Sequence, residues 1–385
     1  MVRGREGGAV VSGEKVVAKR VELSELFFDL VFVYAISCST ALLRQVESGL
    51  PRLAAVLSFA TVIVVLVNSW MVETVFTNRF GSNSRRDVGF MLASMVLVLL
   101  LSANLSADLV TSIRAFSLLV GAWTLLLLVQ YALRYRESAN DGERPYIRLF
   151  FLVLGLRVAC LAVAALLEYP LGLLVLLVGV VLGWVLPGLL SSRMRVVPIN
   201  FPHLTERLSL LVIISFGETI VDVAGGYFGA ASFSLASVLV FVLVATLFVT
   251  YVVEFDGLAR RDRAGITGNG MIYLHYPVLF GISSVTVALS YLAEGLVSRP
   301  FAVCLLYAGL ALFQLGVLLG CGYNSVTQRP SAGLVAGVSL AMPLGLAASL
   351  VSGGSTLVVV GLACASSVVL PLGLRSLAVR TAGGE

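Results

Sequence analysis

The chain has 385 residues, 59% of them apolar and only 12% charged, with a formal net charge of +5. An ordinary soluble domain carries about 25% charged residues, so this composition cannot clothe a water-facing surface and excludes a soluble globular protein. Nor does the positive balance mark a nucleic-acid binder, because Lys and Arg occupy short breaks between apolar runs and form no single basic face. Apolar runs recur from Glu25 to the C-terminus, and roughly 20 helical residues cross a hydrocarbon core of about 30 Å. In chain order they predict helices near residues 25–43, 52–75, 87–106, 112–133, 147–167, 171–190, 207–224, 232–254, 271–293, 301–322, 333–351 and 355–373. Helix-breaking residues punctuate them at Pro51, Pro170, Gly225-Gly226, Pro300, Pro330 and Gly353-Gly354. The expected fold class is all-α, a polytopic transmembrane helix bundle of twelve helices.

Orientation follows from the basic residues, which are retained on the cytoplasmic side during insertion. With the N-terminus inside, twenty of the 26 Lys and Arg residues fall in cytoplasmic breaks, among them Arg79, Arg134, Arg193, Arg195 and Arg260 to Arg263. Only Arg44, Arg52, Arg114 and Arg299 fall outside, and a miscounted helix would have reversed every later break. Both termini are therefore expected in the cytoplasm, in an inner (plasma) membrane. A shift of 181 positions superposes Leu23-Ser24-Glu25 on Leu204-Thr205-Glu206, Val72-Glu73 on Val253-Glu254, and Arg79 on Arg260. This suggests a 6+6 parallel repeat, a plan of several secondary transporters. The expected division is a cytoplasmic tail at 1–20, a first transmembrane half at 21–190, a second at 191–374 and a cytoplasmic tail at 375–385. Glu22, Glu25 and Asp29 inside the first apolar run argue against a cleaved signal peptide.

Ionisable groups inside a span cost roughly 2.5–3.5 kcal/mol each, so they pair, face the bundle interior or serve a function. At about 100° per residue, Glu22, Glu25 and Asp29 form one stripe on the first helix; His203, Arg207, Glu218 and Asp222 form another on the seventh. The chain's two histidines, His203 and His275, both fall at cytoplasmic helix ends. Glu25, Asp29, His203, Glu206, Arg207, Glu218 and His275 are the candidate substrate- or ion-binding residues. Asp29 and Glu218 would carry a proton or cation, the histidines relay or gate, and Arg207 hold an anion. The competing account is a structural ion-pair network that fixes helix register near the interface. Arg157 is expected to pair with one of these acids, while Asn68, Ser69, Trp70 and Asn104 need no more than an interhelical hydrogen bond.

Other chemistry is not in evidence. Five cysteines (Cys38, Cys160, Cys304, Cys321, Cys364) lie in apolar spans without a C-x-x-C pair and read as small buried residues. There is no G-x-x-x-x-G-K-[ST] phosphate loop, no H-E-x-x-H, and no strand before the glycine-rich stretch Gly265 to Gly270. No catalytic residue, metal centre or cofactor is expected. Membrane lipids and a small solute, proton or cation are the expected partners, with no nucleic acid and the oligomeric state open.

The run Glu22-Leu23-Ser24-Glu25-Leu26-Phe27-Phe28-Asp29-Leu30-Val31-Phe32-Val33 resembles the opening signature of the bacterial low temperature requirement protein A family. His203-Leu204-Thr205-Glu206-Arg207 with Ile213 to Glu218 resembles its second signature, and Tyr273-Leu274-His275-Tyr276-Pro277 a third; Thr77-Asn78-Arg79-Phe80 after Trp70 is also similar to it. The resemblance implies a multi-pass membrane protein and no particular reaction. From the residues, the leading expectation is a secondary, proton-coupled transporter of a small solute. The alternatives are a membrane-embedded enzyme acting on a lipid or isoprenoid-linked substrate, or a structural or sensory membrane protein.

Overall fold

In the computed structural model, which describes residues 19–138, 142–191, 199–229, 233–260, 268–325, 328–353 and 355–382, the chain is a helix bundle. The N-terminal stretch 1–18, Arg193, Arg195, Arg261, Arg263 and residues 265–267 of the glycine-rich connector lie outside the described residues. The helices are α1 (Leu23–Thr40), α2 (Leu53–Phe80), α3 (Arg85–Ala103), α4 (Leu109–Glu137), α5 (Arg144–Ala164), α6 (Leu171–Ser191), α7 (Phe201–Tyr227), α8 (Leu235–Val252), α9 (Asn269–Glu294), α10 (Arg299–Gly320), α11 (Ala332–Val351), α12 (Thr356–Ser367) and α13 (Val369–Ala382). Eleven spans among the described residues are long and apolar enough to cross a membrane, and α6 adds a shorter apolar stretch, Leu171–Pro187. Helices are what lipid demands, since every backbone polar group must be satisfied within its own segment.

Three boundaries differ by five residues or more from the expected ones. The last helix is broken at Val368 into α12 and α13 and continues to Ala382, into the stretch read as a tail. The second runs on to Phe80, and the seventh starts at Phe201, six residues early, capped by the Asn200 side chain, which accepts from the His203 N–H. At the end of α8 a π-helical turn, Val253–Leu258, carries Glu254. The only strands among the described residues are Val46–Glu47 and Leu50–Pro51, a two-residue ladder between α1 and α2.

Apart from α12 and α13, which form one broken span, successive helices run antiparallel, so starts and ends alternate between two faces. On one face Lys19 reaches the end of α2, Arg86 pairs with Glu137, and Phe201 stacks on Tyr323. On the other, Arg44 meets Glu294, the Ser298 N–H donates to the Gly49 carbonyl, and Arg299 reaches Thr356. Helix α1 packs on α2, α3 and α7; α3 packs on α4, α4 on α5, and α5 on α6. The second six helices show the same neighbours in the same order: α7 on α8 and α9, then α9 on α10, α10 on α11, and α11 on α12. Apolar side chains such as Leu152, Leu166, Val221 and Val351 are exposed around the outside, the surface that a lipid solvent favours.

Close approach of α9 and α10 depends on glycine. A Cβ at Gly281 would lie 2.7 Å from the Gly309 carbonyl oxygen and 2.6 Å from the Phe313 nitrogen, both backbone atoms that cannot swing aside. Small residues let membrane helices touch where no hydrophobic force draws them together. Gly281→Val is therefore expected to lower the unfolding midpoint of the detergent-solubilised chain by several degrees. Gly217→Val, at an open position, is the control and should leave it unchanged.

Candidate functional site

Four of the candidate residues meet in one network between α1 and α7. Asp29 is fully buried: its Oδ1 accepts from Arg207 Nη2 at 2.5 Å and from Trp70 Nε1 at 2.7 Å. Arg207 Nη1 donates to Thr77 Oγ1 at 3.0 Å and lies 3.6 Å from Glu25 Oε1, while its guanidinium carbon sits 5.3 Å from the centre of the Trp70 ring. Glu25 Oε2 is 3.0 Å from His203 Nε2 and accepts the Glu22 backbone N–H. Positions four apart on each helix thus pair in register: Glu25 with His203, Asp29 with Arg207.

Neutral neighbours set the histidine tautomer. Asn78 Oδ1 accepts the Asn200 N–H, and its Nδ2 donates to the Asn200 carbonyl, which fixes the amide's orientation. That Nδ2 also faces His203 Nδ1 at 3.0 Å, so Nδ1 is the acceptor and the proton sits on Nε2, donated to Glu25. Lys19, just before α1, donates to the carbonyls of Thr77 and Gly81 and closes the network toward that face. Burial lowers the Lys19 pKa from its usual value, against the pull of Glu25 in the other direction.

The other three candidates lie elsewhere. Glu206 is half-buried and turned about 100° from Arg207, outside the network. His275 is buried between α8 and α9: Nδ1 donates to the Met271 carbonyl at 2.7 Å, which leaves Nε2 to accept from Tyr251 Oη at 2.8 Å. Glu218 stands eleven residues beyond Arg207, about 16 Å along α7, and does not face Asp29 across a common space. It lies in a cleft between α1, α7 and α9 with Ser37, Thr40, Ser215, Thr219 and Asp222. Ser37, Thr40 and Asp222 also line a cavity of about 210 Å³ that continues the cleft to the far face. At its mouth Arg44 lies 3.6 Å from Asp222 and 3.3 Å from Glu294, and Ser290 donates to Asp222. Val33, at the inner end, is one turn of α1 from Asp29. The cleft therefore opens at one face and ends at Val33 on α1 and Ser215 on α7; buried Leu208, Leu211 and Val212 lie between it and Arg207.

Arg157 reaches none of these acids, contrary to expectation. Helix α5 packs against α4 and α6, away from α1 and α7, and Arg157 donates to Asn68 Oδ1 at 2.5 Å and Ser69 Oγ at 2.7 Å. Two further buried acids were not among the candidates. Glu73 accepts from Gln130 and Glu254 from Cys321 and Asn324; each keeps one carboxylate oxygen without a hydrogen bond. Their match in the 181-residue shift was the available signal. Thr77 and Asn78 carry no charge, and only the local run after Trp70 pointed to them, whereas Trp70 was expected to make an interhelical hydrogen bond and donates one to Asp29. Among the described residues no group of three or more His, Cys, Asp or Glu side chains is arranged to hold a metal ion.

No curated protein matches this sequence. The family model described as bacterial low temperature requirement A protein matches residues 20–366, which take in α1, α2, α7 and α9 and every residue of the network except Lys19. The chain belongs to the bacterial low temperature requirement A (LtrA) family, as a multi-pass helical membrane protein.

Proposed function

We propose that this protein is a secondary transporter of a small polar solute, coupled to protons, in the inner membrane with both termini cytoplasmic. One observation carries the reading: a cleft between α1, α7 and α9, lined by hydroxyl and carboxylate side chains and open at one face, with an apolar layer and then a buried charge network joining α1 to α7 on the way to the other. Alternating access needs such asymmetry, with a site that is reached from one side while the opposite path is shut. The matched neighbour order of the two sets of six helices supports two repeats that rock against each other, with α1 and α7 as the facing pair.

On this reading the roles divide by depth. Asp29 and Arg207 act as the inner gate: the anion that Arg207 holds is Asp29 itself, and Asp29 is occupied by two donors. Glu218, with hydroxyl neighbours on the cleft floor, is the proton carrier, and Asp222 with Arg44 frames the entrance. The enzyme alternative has less support, because His203 is fully buried with both ring nitrogens engaged by protein groups.

Thiol accessibility tests the reading. In a chain whose five native cysteines are replaced, Thr40→Cys is expected to react with a membrane-impermeant maleimide from the external face only. Adding Arg207→Gln to open the gate should admit the reagent from the cytoplasmic face as well. Equal labelling from both faces without the gate change, or no cytoplasmic labelling with it, would end the alternating-access proposal.

A further inference from the structure

A second cavity is bounded by α2, α5, α6 and α9; it has the α9 wall in common with the cleft but no lining residue. Its polar lining includes Asn68, Arg79, Tyr146 and Trp184; Val75 and Ile272 form part of its apolar wall. Three of these carry a buried donor with no hydrogen-bond partner: Arg79 Nε, Tyr146 Oη and Trp184 Nε1. The Arg79 guanidinium stacks over the Tyr146 ring at 4.5 Å, an arrangement that holds the cation in place without neutralising it. Just behind Asn68 and Gly183, Arg157 is 1% exposed and its Nε also lacks a partner. A Cβ at position 183 would lie 3.1 Å from Arg157 Cδ, so the missing side chain is what lets the arginine lie against this wall.

Among the described residues neither Arg79 nor Arg157 has a carboxylate within ion-pair distance. Guanidinium groups stay charged in proteins, and two uncompensated ones inside a bundle, ringed by idle donors, are electrostatically incomplete. We propose that this cavity is an oxyanion site that takes a phosphate group. Arg79 is the direct ligand, Tyr146 and Trp184 are neutral donors, and Arg157 supplies positive field through Asn68. The phosphate has two sources, an anionic lipid headgroup seated beside the apolar wall or free phosphate from water. The site stands independently of the transport reading.

Thermal unfolding of the full chain in a neutral detergent tests it, with phosphatidylglycerol in one arm, inorganic phosphate in a second and phosphatidylcholine as the uncharged control. One of the two anions is expected to raise the unfolding midpoint: phosphatidylglycerol alone identifies a lipid site, and inorganic phosphate a soluble-anion site. Arg79→Gln should weaken the half-saturating concentration by about tenfold or more, Trp184→Phe by less, and Arg79→Lys should retain part of the response. Arg148→Gln, an exposed arginine bonded to Tyr135 near the same face, should behave as the parent chain does. If Arg79→Gln does not fold, Arg79→Lys and Trp184→Phe decide. No midpoint shift with either anion, or variants at these two positions that respond like the parent, would overturn the proposal.

Discussion

Arg207→Met is expected to destabilise the protein by about 3–5 kcal/mol, the largest loss from any single change in the α1–α7 network. The arginine side chain is fully buried and serves two carboxylates at once, bonding Asp29 and lying 3.6 Å from Glu25. Without it Asp29 keeps only the Trp70 indole as a donor, and a carboxylate is left uncompensated where water does not reach. Removing both partners is a different matter, because an apolar pair of similar volume in place of a buried ion pair is often neutral. Asp29→Leu combined with Arg207→Met should therefore recover much of the loss, and Arg207→Lys should lie between, having the charge without the planar fork. Unfolding in mixed micelles of increasing denaturing-detergent content reads all four chains. An Arg207→Met variant within about 1 kcal/mol of the parent would show that the network contributes little to folding.

The helices were legible in the sequence because lipid leaves the chain few options, yet hydropathy cut two of them short beside the network. His203 to Arg207 contains three ionisable residues in five, which lowers the apolar average, and the expected start moved to 207. The helix nonetheless begins at Phe201, because His203 and Arg207 are paired inside the bundle and an Asn200 cap is in place. Likewise α2 carries Thr77 and Asn78 past its expected end at 75, both buried, as is Glu73 just before it. Polar residues that a hydropathy profile reads as the edge of a span are here the contacts between spans.

Helical periodicity found the stripes but not the depth at which each member works. Glu25 and Asp29 on α1, and His203 and Arg207 on α7, share faces by angle, and they are the four that meet. Glu218 shares the α7 face too, but an angle carries no height, and eleven residues place it in another compartment. Arg157 shows a second limit: its partner depended on which helices flank α5, and that is a matter of tertiary packing. Neutral anchors such as Asn78 left no charge signal, although Asn78 fixes the proton on His203.

Glu218→Gln is expected to abolish proton entry if the transport proposal holds. Proteoliposomes loaded with the pH-sensitive dye pyranine, given an outside-acid pulse with a pool of amino acids, polyamines and sugars, should acidify with the parent chain. With Glu218→Gln they should stay at the level of protein-free liposomes. The substitution retains shape and hydrogen-bonding capacity while removing the group that takes up and releases a proton, so a folded, inserted variant isolates that one property. Glu218 suits the role better than Asp29, because it is half-buried on a polar cleft floor and free of the ion pairs that hold Asp29. Asp222→Asn is the informative neighbour: Asp222 lies near Arg44 and accepts from Ser290 at the mouth, so its loss should slow entry without abolishing it. Acidification by Glu218→Gln at the parent rate would remove the carboxylate from the mechanism, and no acidification by the parent would count against proton coupling altogether.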